Sequence, residues 1–89
     1  MEFNVLNEIL KHNSLRLRRS DVARNLSTPV STIKYYTREG LIKVAGTTDG
    51  GMTLYDLKEV AHRLSEIGEL KKEGKSLAEI KSLLLHVES

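Results

Sequence analysis

The side chains equipped for chemistry in this chain are cations and hydroxyls, and they gather in one segment. "PVSTIKYYTREGL" (29–41) sets Ser31, Thr32, Lys34, Tyr35 and Arg38 within eight positions, and holds two of the chain's four aromatics side by side. A helix turns about 100° per residue, so Tyr35 and Tyr36 cannot both point at one core. With Ile33 at the centre of the buried stripe, Val30, Tyr36 and Thr37 flank it on the same side. Ser31, Thr32, Lys34, Tyr35 and Arg38 then lie on the other. Short hydroxyls, a phenol and two cations on one face can donate hydrogen bonds to phosphate oxygens, and a helix N-terminus favours the same anion. The competing reading is that Lys34 and Arg38 are an i, i+4 pair that merely solvates a surface.

The charge distribution points the same way. The net charge of +2 divides into −2 over residues 1–10, +6 over 11–43 and −2 over 44–89. The basic segment carries Lys11, Arg16, Arg18, Arg19, Arg24, Lys34, Arg38 and Lys43 against Asp21 and Glu39. A basic middle in a mildly acidic chain predicts a polyanionic partner for that segment.

Other chemistry finds little support. With no cysteine, disulfides and thiolate metal sites are excluded. His12, His62 and His86 have no ligand spacing, so no metal or cofactor is expected. "TTDGGM" lies outside any strand–loop–helix phosphate cradle and reads as a hairpin turn. No Ser or Thr has a base at suggestive spacing, and no enzyme is expected. The sequence shows no secretory signal and no apolar run that could span a membrane, which predicts a soluble, cytoplasmic protein associated with a bacterial-type nucleoid.

Eighty-nine residues make one domain that must bury nearly every apolar face it has. Residues 2–12 carry Phe3, Leu6, Ile9 and Leu10 at helical spacing, so 1–14 is expected to be a helical extension of a domain over 15–89. "LRLRR" (15–19) alternates and reads as a strand with a basic face. Ser20 is expected to cap a helix to Leu26, and Thr28 a second helix that Gly40 ends, with Leu41 folding back onto it. "IKVA" and "MTLY" read as the two strands of a hairpin. Asp56 and Glu59 form a capping box for a helix to about Glu73, in which Gly68 suggests a bend or a close contact. Ser76 and Glu79 repeat the box for a last helix buried through Leu77, Ile80, Leu83 and Leu84. The fold class is mostly α with a small β-hairpin, a winged helix-turn-helix with an extra N-terminal helix.

"SDVARNLSTPVSTIKYYTREGLI", followed by "GMTLYDLKEVAHRLSEIGELKKEGKSLAEIKSLL", resembles the DNA-binding domain of MerR-type transcription regulators over roughly residues 17–85. The resemblance implies DNA binding through Ser31, Thr32, Lys34 and Tyr35. Lys34 stands where the family usually has arginine, and lysine cannot form a bidentate fork on guanine. Thr37 replaces the usual glutamate. Met52 and Thr53, beside Asp49, replace an aromatic and an arginine of the wing, which weakens that clamp on the backbone. Arg16, Arg18 and Arg19 are expected to take over part of it.

These readings converge on sequence-specific binding of double-stranded DNA, with helix 29–39 in the major groove and Arg38 and Lys43 added to the contact set, in a transcription regulator. The alternatives are an architectural or recombination, phage-packaging or plasmid-partition DNA-binding protein, or a protein-interaction module on the same fold. A homodimer or partner-protein contact would use Phe3, Leu6 and Leu10 or the Leu83–Leu85 cluster, whose first expected job is to close the protein's own core.

Overall fold

The computed structural model describes residues 15–85. The expected N-terminal helix, its Phe3/Leu6/Leu10 stripe, His12 and His86 lie outside the described residues. Arg16–Arg18 form strand β1 and the chain turns directly into helix α1, Arg19–Asn25. Helix α2 follows at Val30–Arg38, then β2 at Gly46–Thr47, β3 at Thr53–Asp56, α3 at Leu57–Lys72 and α4 at Leu77–Leu84. β3 is the middle strand of a three-stranded antiparallel sheet, with Leu17 opposite Tyr55 and Thr47 opposite Thr53.

All four helices and the central strand deliver at least one buried side chain to a single core, and Leu17 of β1 packs against it. Val22 and Ala23 come from α1, Ile33 and Tyr36 from α2, Tyr55 from β3, Val60 and Ile67 from α3 and Ile80 from α4. Leu41 and Ile42 enter from the loop after α2. Gly40 makes that entry possible. It adopts φ +81°, where a side chain is strained, and the Gly40 and Leu41 amides donate to the Thr37 and Tyr36 carbonyls (3.1 and 2.9 Å). Leu41 is thereby folded under the helix that Gly40 ends.

Several local expectations shift, each for a visible reason. Ser20 is not the cap of α1. β1 pairing runs to Arg18, which is itself the N-cap, and the helix starts one residue later with Asp21 in its first turn. Thr28 does not cap α2 either, because its hydroxyl turns back and donates to the Leu26 carbonyl (3.0 Å), leaving Pro29 as N-cap. The wing strand expected at 42–45 lies instead at Gly46–Thr47, since Leu41 and Ile42 are drawn into the core. The wing turn closes where Thr48 and Met52 pair (2.9 Å), and of its glycines Gly51 alone takes a positive φ.

Both later helices are capped, but only the second by a full box: Asp56 accepts the Glu59 amide (3.0 Å), whereas Ser76 and Glu79 exchange both bonds. α3 runs through Gly68 with nothing among the described residues within 4 Å of the side chain an alanine would add, so no close contact there explains this glycine. Leu83 points outward, half exposed, whereas Leu77, Leu84 and Leu85 pack on the core.

Candidate nucleic-acid interface

α2 divides as its sequence demands, with two exceptions at its first turn. Ile33 and Tyr36 are buried, and Ser31, Lys34, Tyr35 and Arg38 are exposed. Val30 was expected beside Ile33 but is exposed. It lies about 60° off the centre of the stripe at the first helical residue. Thr32, expected outside, is half-buried on the other flank. The open arc therefore runs from Val30 through Lys34, Arg38 and Ser31 to Tyr35. Tyr35 rests against Tyr36 with ring centroids 5.5 Å apart and planes tilted by 50°, so the buried ring props the exposed one.

The cations around this arc differ in what they already hold. Among the described residues, no carboxylate lies within ion-pair distance of Lys34, Arg38, Lys43 or Arg16, and all four are exposed. Arg18 and Arg24 share one carboxylate: Arg18 Nε reaches Asp21 Oδ2 at 3.3 Å, and Arg24 reaches Asp21 Oδ1 at 3.2 Å. Arg19 is half-buried, donates from Nε to the Tyr55 hydroxyl (3.1 Å) and lies over the Tyr55 ring at 5.6 Å. The three arginines at 16–19 are thus not equivalent, a distinction that the alternating pattern of "LRLRR" does not contain.

Thr37 and Tyr55 are participants that sequence reasoning passed over. Thr37 donates to the Ile33 carbonyl (2.6 Å), and its oxygen lies 2.9 Å from the Tyr55 hydroxyl. A hint existed in the placement of Tyr55 on an inward strand position, because a buried phenol needs a polar partner. Nothing in the sequence alone named that partner.

The wing tip is neutral to acidic. Asp49 and Met52 are exposed, and Thr53 is half-buried opposite Thr47. Among the described residues, no group of three or more His, Asp or Glu is placed to hold a metal ion, and no helix is long and apolar enough to cross a membrane.

The family model described as "MerR HTH family regulatory protein" matches residues 17–86. A crystal structure of a MerR-family transcriptional regulator from Bacillus cereus is similar, with a TM-score of 0.66 and 29% sequence identity over 84% of this chain. The match spans 55% of the length of that regulator's chain. Among curated proteins, none matches.

Proposed function

The chain belongs to the MerR helix-turn-helix regulatory family, and from that premise we propose that it binds duplex DNA at defined sequences as a transcription regulator, laying α2 in the major groove. One observation carries the reading: Ser31, Lys34, Tyr35 and Arg38 stand on an open arc whose opposite face is sealed by Ile33 and Tyr36. The arc is cationic at its centre, and Ser31 in the first turn is small enough to let the helix approach base edges. Lys34 and Arg38 supply charge, and Tyr35 supplies a hydroxyl for phosphate and a ring for sugar or base edge. Arg16, Arg18, Arg19 and Lys43 contribute backbone contacts in place of the neutral wing.

A single module of this size buries about 600–1,000 Å² on DNA. Tight occupancy therefore calls for a second copy on a half-site about one helical turn away. The side of α4 that carries Leu83 is our candidate contact between copies.

Selection of bound duplexes from a random library tests the proposal. The expected result is one recurring motif, with binding that weakens with salt by a log–log slope of about −0.9 per neutralised phosphate. Recovery of no motif, with binding insensitive to salt, overturns it in favour of a protein partner.

A further inference from the structure

Tyr55 is the largest side chain in the described core with no exposure at all, and it carries a hydroxyl into that core. The hydrogen-bond directions around that hydroxyl can be worked out. Thr37 has one hydroxyl hydrogen and spends it on the Ile33 carbonyl at 2.6 Å. The hydrogen between the two hydroxyls, 2.9 Å apart, must then belong to Tyr55. Arg19 Nε–H fills the acceptor side of the phenol at 3.1 Å. A chain of single direction results, from the Arg19 guanidinium through Tyr55 and Thr37 to a backbone carbonyl of α2. Each donor in it is used once, so turning any member leaves a buried polar group unmatched.

The chain decides what Arg19 has left to offer. Its Nε is committed inward and the Tyr55 ring sits 5.6 Å from the guanidinium carbon, which restrains the plane of the group. The two terminal nitrogens remain, and among the described residues no carboxylate lies within ion-pair distance of them. Two parallel N–H groups on a fixed plane match two oxygens of a phosphodiester. Arg18, held by Asp21 from the same Nε position, has no such aromatic floor among the described residues. At the other end, Thr37 borders the open arc on the side of Val30 and Lys34.

The geometry points to Tyr55 as a positioning residue for DNA binding: it aims Arg19 at a backbone phosphate and, through Thr37, fixes that clamp in register with α2. The inference rests on the DNA-binding reading above and adds to it a division of labour. Tyr55 itself, fully buried, touches no DNA. A wing too weak to grip the backbone thus contributes through its strand β3 instead of its tip.

The test is a titration of the full chain with a labelled mixed-sequence duplex over a range of salt, well below the unfolding temperature. Arg19→Met should lower affinity about tenfold and reduce the steepness of the log–log salt dependence by about 0.9, the share of one phosphate. Tyr55→Phe, which keeps the ring in the core, should lower affinity several-fold with the slope nearly unchanged. Thr37→Val should mimic it and Thr37→Ser should bind as the parent does. In an Arg19→Met background, Tyr55→Phe should cost nothing further. An equal loss in both backgrounds overturns the inference, as does an Arg19→Met chain with an unaltered slope while Lys34→Ala still weakens binding. A parent chain that binds no duplex overturns the DNA-binding reading and this inference with it.

Discussion

Lys81 Nζ lies 2.9 Å from Glu39 Oε1, a bond between α4 and the C-cap of α2. Glu39 is poorly placed by itself, because a carboxylate at a helix C-terminus faces the negative end of the dipole. Lys81 offsets that. With the two side chains 39% and 26% exposed, solvent screens the pair and its worth is about 0.5 kcal/mol. Lys81→Met should therefore lower unfolding stability by about that amount, whereas Glu39→Gln should be near neutral, since it removes the pair and the dipole conflict together. Urea unfolding of both variants and their double mutant gives the coupling directly. A Lys81→Met chain as stable as the parent would show that the contact contributes nothing.

The two adjacent tyrosines should separate binding from stability. Tyr35→Phe deletes a hydroxyl on the open arc and should weaken duplex binding several-fold with Tm unchanged. Tyr36 is 7% exposed and part of the core, so Tyr36→Ala should cost about 3 kcal/mol or more in stability. Tyr36→Phe should leave DNA affinity intact. If Tyr36→Phe weakens binding more than Tyr35→Phe does, the two faces of α2 have the opposite roles.

Two backbone substitutions of opposite kind should both stabilise the chain. Ser27 adopts φ +50° at the end of α1, a conformation in which any Cβ is strained, and its neighbour Thr28 closes the turn by donating to the Ala23 carbonyl (2.9 Å). Ser27→Gly should relieve about 1 kcal/mol. Gly68 sits inside α3 with open space around it among the described residues, so Gly68→Ala should gain about 0.5–1 kcal/mol through helix propensity. Each gain corresponds to a rise of several degrees in Tm for a domain of this size, readable by calorimetry. A loss of stability at Gly68→Ala would mean that the α3 surface there is covered in solution.

Period and punctuation carried most of this architecture into the sequence. The inward stripes of α1 to α4, Val30 and Leu83 apart, Gly40 as a stop, and Ser76–Glu79 as a cap all follow from local rules that act over a few residues. The failures share a cause as well. Ser20 and Thr28 are sound cap residues by type, yet sheet pairing at Arg18 and a hydrogen bond to Leu26 decided against them. Residues 42–45 look like a strand until Leu41 and Ile42 are needed by the core. In the candidate site, the exposed set on α2 was legible, apart from Val30 and Thr32 in the first turn, because it is one helix face. The Arg19–Tyr55–Thr37 chain joins three elements far apart in sequence, and periodicity holds no record of such a meeting.

Glu79 should leave a mark on the acid limb of stability. The Ser76 backbone amide donates to its carboxylate (2.7 Å), and with the Ser76 hydroxyl, which also accepts the Glu79 amide, and Lys75 nearby it holds the Glu79 pKa below the usual carboxylate value. A depressed folded-state pKa means that the carboxylate contributes stability above the unfolded value of about 4.3 and loses it as pH falls through the folded value. Glu79→Gln keeps an acceptor for the Ser76 amide but cannot titrate. The parent should thus be the more stable at pH 7, and the two should converge as the pH falls through the lowered folded-state value. Parallel stability curves from pH 7 to 3 would rule this out.

Asp21 should restrain DNA affinity rather than support it. Its two oxygens engage Arg18 at 3.3 Å and Arg24 at 3.2 Å, so two of the cations in the basic segment are already neutralised in the free chain. Each arginine keeps N–H groups to offer, but the carboxylate beside it offsets its charge and would repel the phosphate backbone. Asp21→Asn removes both obstacles. It also takes an acidic group from the first turn of α1, where the helix dipole favours one, so a small loss of stability, about 0.5 kcal/mol, should accompany the change. Binding to mixed-sequence duplex should tighten several-fold at low salt, and the salt dependence should steepen by up to about 0.9 for each arginine released. The gain should be equal for all sequences, because backbone contacts carry no base information. Unchanged affinity and slope would place Arg18 and Arg24 away from the DNA, and leave the backbone contacts to Arg16, Arg19 and Lys43.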